Sequence, residues 1–414
     1  MNDLVVRHLF VVIYFVSCTS FVRRGNLRML NEHQIWKIYG TDYKAMTISL
    51  LEETDLAQRI QDRKLRIGIK PNLVVPSPAE FGATTHPEIV AGIIEYLQNR
   101  GYCDIVVLEG SWVGDRTSEA YEICGYREIC EQYQVPFIDT QKEKWHSIDC
   151  AGMKLNLTDA VDRIDFLINV PVMKGHCQTK MTCALKNLKG ILPNKEKSRF
   201  HTMGLHKPIA HLQTAVRQDY IVVDHICGDL DFEEGGNPVV RNCIMAAADP
   251  VLVDSYACYL MGYTPDEVPY IRMAEALDIG TADLDTAEII TVRNNPEKGS
   301  TEPAQKGRHL ISTGFDPETE EELPRAHKLL EVSYAVDAVD SCSACYASLV
   351  GALWRLREEG LIDRIPTPIG IGQGMQGRKG HLGIGKCTSG FDICIMGCPP
   401  DEDQIYEKLK ELAE

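Results

Sequence analysis

The residues whose spacing most narrowly suggests a chemistry lie near the carboxyl terminus: Cys342-Ser-Ala-Cys345, then Cys387, then Gly397-Cys398-Pro399-Pro400. Four thiolates converging on one point can hold a [4Fe–4S] cubane, and a Cys-x-x-Cys turn supplies two of them with little chain strain. Cys387 and Cys398 fall in Gly-rich and Pro-flanked stretches, where backbone can approach the sulfides and donate N–H bonds to them. Cys342, Cys345, Cys387 and Cys398 are therefore the expected metal ligands, with Cys394 able to replace Cys387. Zinc is the competing metal, because it too accepts four thiolates. Its usual signature is a pair of Cys-x-x-Cys knuckles, however, and this chain has one. Free thiols or a dithiol redox pair are a third alternative.

A second constellation is basic. Lys174 and His176 follow an apolar run that ends at Val172, and Lys180, Thr182, Lys186, Asn187 and Lys189 come within the next fifteen residues. If 180–189 is helical, Thr182, Lys186 and Lys189 share a face by i+4 and i+3 spacing. Cations and a hydroxyl on one face suit the capture of a carboxylate or phosphate; the competing reading is a solvated helix face. Arg199, His201 and His206 form a third group, with His201 and His206 five apart and so better suited to a loop than to one helical face. Lys174, His176 and Lys186 are the expected catalytic residues. Lys180, Thr182, Asn187, Lys189, Arg199, His201 and His206 are the expected substrate-binding residues. The carboxylates Asp224, Asp229, Asp231, Glu233 and Glu234 could hold a divalent cation or simply line a solvated loop.

The elements that would position these groups alternate between short apolar runs and amphipathic ones. Residues 66–70, 105–108, 135–138, 166–172, 221–223, 244–248 and 289–292 read as strands; 117–132, 250–262 and 265–277 read as helices. Thr85-x-x-Glu88 with Pro87 reads as a capping box that opens another helix. This rhythm predicts an α/β fold with an open, mostly parallel sheet, flanking helices and ligands at the carboxyl ends of the strands. Residues 294–340 are rich in Pro, Gly and charge in their first part and read as a linker. Five cysteines between 342 and 398 and eight glycines between 370 and 390 then mark 341–414 as a separate, small cysteine-rich module.

The composition bounds the function. Apolar residues make up 44% of the 414 and charged residues 25%, the balance of an ordinary globular chain. A net charge of −16 disfavours generic nucleic-acid binding, which needs a basic face to neutralise phosphates. Fifteen cysteines, an odd and scattered set, suit a reducing compartment better than a disulfide framework, so a cytoplasmic location is expected. Residues 9–22 are apolar behind Arg7 and His8 but too short for a comfortable bilayer span. Residues 1–28 therefore read as an over-extended or disordered leader, with an export signal as the alternative. No Gly-x-Gly-x-x-Gly follows a strand and no Walker sequence occurs, so a nucleotide site has no support.

Two resemblances add to this. Gly397-Cys398-Pro399-Pro400 ahead of an acidic helix resembles the proximal-cluster segment in the small subunits of hydrogenases and of respiratory complex I, which implies a [4Fe–4S] cluster near a domain surface. Lys70-Pro71-Asn72-Leu73, Thr84-Thr85-His86-Pro87, Glu109-Gly110-Ser111, the run 170–176 and Lys180-Met181-Thr182-Cys183-Ala184-Leu185-Lys186-Asn187-Leu188-Lys189-Gly190 carry a second likeness. Through them residues 66–260 resemble domain-of-unknown-function family 362. It implies an architecture and a pocket but no reaction. The function expected from all of this is an iron–sulfur redox enzyme acting on a small anionic molecule. The alternative is a non-catalytic electron carrier or scaffold that docks a partner oxidoreductase.

Overall fold

The computed structural model describes residues 30–236, 238–292, 331–339 and 341–414, with the pairs 305–306, 315–316 and 321–322. The leader expected over 1–28 lies outside the described residues, as does most of the expected linker.

One nine-stranded sheet organises the first part of the chain. Its order is 305–306, 288–292, 34–39, 243–247, 220–225, 166–169, 67–70, 105–109 and 137–139. From 220–225 to 137–139 every neighbouring pair is parallel, whereas 243–247 runs antiparallel to both of its neighbours. Alternate residues of each strand feed two separate cores, as the period of two requires. Leu108, Leu167, Ile221 and Val223 join one core, and Ile67, Ile69, Val107 and Val222 the other. Both faces are thus covered, and the central strands are apolar throughout for that reason.

Several elements differ from the sequence reading, each for a visible cause. Residues 180–189 are not one helix: Lys174–His176 pairs antiparallel with Lys180–Thr182, and a short helix follows at Ala184–Asn187. The buried Asp254 carboxylate accepts the N–H groups of Ala184 and Leu185, which fixes the helix start two residues past the strand. The stretch 117–132 breaks into two helices at Gly125, whose φ of +75° favours glycine. Helix Pro87–Gln98 has the expected proline in its first turn but no capping box. The Thr85 hydroxyl instead receives Asn72 N–H and donates to Val170 O, tying two strand ends together.

A second sheet of four parallel strands, Val336–Ala338, Ile369–Ile371, Leu382–Ile384 and Ile393–Ile395, lies in the cysteine-rich part. Helices Ser343–Glu358 and Glu402–Ala413 pack on it through Leu349, Leu353, Ile405 and Leu409. Residues 369–377 and 382–390 repeat one unit: a three-residue strand, a glycine with positive φ at 372 or 385, and a 3₁₀ turn. Cys177 and Phe232 of the larger sheet's loops pack against this second core. Among the described residues no helix is long and apolar enough to cross a membrane.

Candidate functional site

The four parallel strands of the small sheet end on the cysteines. Cys342 caps the helix that follows Val336–Ala338, and Cys345 stands in that helix's first turn. Cys387 lies in the turn after Leu382–Ile384, and Cys398 three residues beyond Ile393–Ile395. Burial pushes the Cys345 thiol up to about 12, and Cys342, Cys398 and Cys387 push it in the same direction, so the other three sulfurs lie around that of Cys345. Cys394 is turned away onto Gly385 O (3.5 Å) and the Thr388 hydroxyl (3.4 Å). Gln373 Nε2 donates to Cys342 Sγ at 3.4 Å and Gln376 Nε2 to Cys387 Sγ at 3.5 Å. The spread of the four thiols matters. Among the described residues, the one set of three or more potential ligands whose atoms all lie within 4.8 Å of one another is His146, Asp159 and Asp162. Tetrahedral zinc with bonds near 2.3 Å would draw its four sulfurs to about 3.8 Å from one another.

Beside Cys342 and Gln373 opens a cavity of about 220 Å³, walled on its other sides by the large sheet's strand ends. Strand 67–70 is the point where the chain reverses its order across the sheet, because 105–109 lies on one side and 166–169 on the other. Such a reversal leaves a crevice at the carboxyl ends of the strands. Lys70 and Glu109 end two adjacent strands and form a fully buried ion pair there. Gly190 lets the pair close, since a Cβ at that position would stand 1.8 Å from Glu109 Oε1. Asn72 Nδ2 donates to Asn187 Oδ1 (2.9 Å), and Asn187 Nδ2 in turn donates to Asn169 Oδ1 (2.7 Å).

Glu233 gathers the basic group. It pairs with Lys186 and accepts from His176 Nε2 at 3.0 Å, while Lys186 Nζ also donates to the Thr182 hydroxyl at 3.1 Å. Burial works against its charge, but Lys186 and His176 outweigh that and hold the carboxyl well below its usual range. His176 Nδ1 accepts the N–H groups of Gln178 and Thr179 (both 3.1 Å), so its proton is on Nε2. Burial, aided by Lys186, lowers its pKa to about 4 and keeps the ring neutral. Lys174 donates to Ala83 O (2.6 Å) and Glu233 O (2.8 Å), and burial lowers it to about 8. Lys197 donates to Gly110 O and Ser111 O, both at 2.8 Å, and burial lowers it to about 8 as well. His201 is pushed down by burial and by Lys189.

Of the residues expected to act together, Thr182, Lys186, Asn187, Lys189 and His201 line the cavity. Lys174 and His176 stand behind it, bound to Glu233. Lys180 pairs with Glu267 at 2.9 Å on the surface and lies across the Tyr263 ring. Arg199 pairs with Glu196 at 2.6 Å, and His206 stacks on Tyr270 with centroids 5.8 Å apart; neither lines the cavity. The expected carboxylate cluster is dispersed. Asp224 accepts the His86 ring nitrogen at 2.8 Å, Asp229 accepts the N–H groups of Asp231 and Phe232, and Glu233 serves the lysine and histidine just described. Sequence reasoning missed Lys70, Glu109 and Lys197 as site residues. The first two carried a signal, since each is the polar residue that ends an apolar strand. Lys197 carried none.

Residues 67–259 match the family model described as a domain of unknown function, DUF362, which spans most of the large sheet and stops before the cysteine-rich part. A thylakoid-associated protein of Synechocystis sp. is 23% identical over 225 residues, 52% of this chain and 68% of that protein. The lactate racemase apoprotein of Thermoanaerobacterium thermosaccharolyticum aligns in structure with a TM-score of 0.36 at 15% identity, over 57% of this chain and 58% of its own length. A Thermotoga maritima protein aligns with a TM-score of 0.35 at 13% identity, over 54% of this chain and 60% of its own. The chain thus spans less than two thirds of either solved structure.

Proposed function

We propose that this chain is an iron–sulfur protein in which a [4Fe–4S] cluster on Cys342, Cys345, Cys387 and Cys398 exchanges single electrons with a small anion held at the strand ends of the large sheet. The observation that carries this reading is that Cys342 and Gln373 wall the same cavity as Lys186, Lys189 and His201. The donor set fits the group: three thiols around that of Cys345, with the Gln373 and Gln376 amides directed at two of the sulfurs. Thiols spread more widely than zinc requires favour a cubane, which binds each thiolate at a different iron. When bound, such a cluster supplies or accepts one electron at a time. The chain's own residues do the rest. Lys186 presents positive charge and Lys189 a partly protonated amine, while Thr182, Ser198, Asn72 and Asn187 offer polar atoms to a bound ligand. His176 and Glu233 hold Lys186 in place.

The experiment is anaerobic purification with iron and sulfide analysis, followed by electron paramagnetic resonance of the reduced protein with and without sulfate, phosphate or oxalate. A cluster signal that one of these anions perturbs supports the reading, and iron-free protein sinks it. A second reading, an electron carrier without chemistry of its own, is favoured by the exposure of Cys398, which would place one cluster edge at the surface. A cluster signal that none of the anions perturbs selects the carrier.

A further inference from the structure

The lysines in and behind the cavity wall are not equivalent. Lys70 is neutralised by Glu109 and Lys186 by Glu233, while Lys174 and Lys197 each spend their amine on two backbone carbonyls. Lys189 lines the same cavity and makes no side-chain hydrogen bond or ion pair among the described residues. It is also held rigidly at its base, because Leu188–Ile191 is a single 3₁₀ turn closed by Leu192 N–H on Lys189 O. The neighbouring Gly190 is locked against Glu109. An amine on a half-buried cavity wall, anchored at its backbone and left without an acceptor among the described residues, is poor at holding a structure together. It is well placed to react.

We propose that Lys189 is an imine-forming residue, its uncommitted side-chain amine condensing with the carbonyl of a small oxo-carboxylate held in this cavity. The proposal rests on the anion-binding reading above and narrows its substrate class. The step balances without an outside reagent. The nitrogen lone pair forms a bond to the carbonyl carbon, the carbon–oxygen bond then breaks, and both amine hydrogens leave with that oxygen as one water. The surroundings suit each stage. Burial, and the charge of Lys186 beyond it, lower the Lys189 pKa to about 7, so a large fraction carries the free lone pair at neutral pH. Thr182, Ser198 and His201 line the wall with groups that can relay the protons. Lys186 supplies a charge for the carboxylate, with its own charge balanced by Glu233 when the cavity is empty. A plain anion would not need an unprotonated amine, which is a weaker partner for it than an ammonium group.

The test is reductive trapping in the full-length protein. Wild type is incubated with glyoxylate and cyanoborohydride at neutral pH, digested, and mapped by mass spectrometry for carboxymethyl-lysine. The expected result is modification of Lys189 roughly tenfold or more faster than of the exposed Lys142, with protection by excess oxalate and a much slower reaction with acetaldehyde, which lacks the carboxylate. Lys189→Arg should remove the label from this peptide while keeping the thermal unfolding midpoint, and the site-resolved labelling of wild type stands even if that variant misfolds. Labelling of Lys189 no faster than of Lys142, or insensitive to oxalate, overturns the proposal. Iron and sulfide are measured on the same sample. Missing iron with selective labelling would sink the cluster and leave the lysine, and a full cluster with unselective labelling would do the reverse.

Discussion

Glu233 decides how the basic residues behave, because it converts what the sequence presents as a row of cations into a compensated network. Removing one member of a buried pair leaves the other charge without its partner. Lys186→Ala should therefore lower unfolding free energy by roughly 2–4 kcal/mol, toward the low side because Glu233 keeps some contact with solvent. Lys189→Ala removes an amine that has no partner among the described residues and should cost little or even stabilise. Paired urea titrations of the two variants check this, and equal losses would refute the distinction drawn between the lysines. His176 adds a pH dependence. Its folded pKa of about 4 lies below the 6.5 of an unfolded histidine, so between those values the unfolded chain binds the extra proton. Stability is therefore full above pH 6.5 and declines as pH falls toward 4, by about 3 kcal/mol from this group at most. His201 acts in the same direction. Urea midpoints measured from pH 7 to 4 should show a slope that His176→Gln makes shallower; an unchanged slope would mean that the imidazole is not held neutral by its site.

At the scale of elements, the small sheet works as a bracket whose strand ends present the thiols. Cys342, Cys345, Cys387 and Cys398 should each be needed for the brown absorbance of the reconstituted protein, since Cys345 stands in the first turn of the helix and the other three, in the segments that follow the strands, lie around it. Cys394→Ser should keep it, because that sulfur is engaged by Gly385 O and Thr388. Iron content of the five single variants distinguishes them, and loss of the cluster in the Cys394 variant would exchange its role with that of Cys387. The same elements show what a sequence can disclose. Cysteine spacing, apolar strand runs and the loop around Lys174–Lys189 are local patterns, and the strands were legible from them. The ion pair of Lys70 with Glu109 spans 39 residues and the bond of Lys197 to Gly110 spans 87, so only the sheet order brings those groups together. The break of 180–189 at Cys183 was invisible for a similar reason, because Asp254, some seventy residues away, caps the short helix. The Thr85-x-x-Glu88 motif misled because its hydroxyl found a strand end before it found its own helix.

At the scale of the whole molecule, the two sheets meet with their carboxyl-end loops around one cavity, and Phe232 and Cys177 seat the larger on the core of the smaller. On the proposed reading two charge-carrying events would lie side by side, anion binding near Lys186 and Lys189 and reduction at the cysteines beside Gln373. Reduction adds a negative charge to the cluster, and a bound anion makes that addition harder across a short, poorly screened distance. Thermodynamic reciprocity then requires that the anion bind less tightly to the reduced protein by the same free energy. A tenfold difference in affinity corresponds to a fall of about 59 mV in a one-electron midpoint potential. Oxalate at saturating concentration should thus lower the midpoint in an anaerobic redox titration, and calorimetry on oxidised and reduced samples should return the matching ratio of dissociation constants. Lys189→Met, which removes the uncommitted amine and its fraction of positive charge from the cavity, should weaken oxalate binding and shrink the shift together. A cluster whose potential ignores an anion that demonstrably binds would mean that the sheets share a cavity wall without sharing a function, and the electron-carrier reading would then account for the cysteines alone.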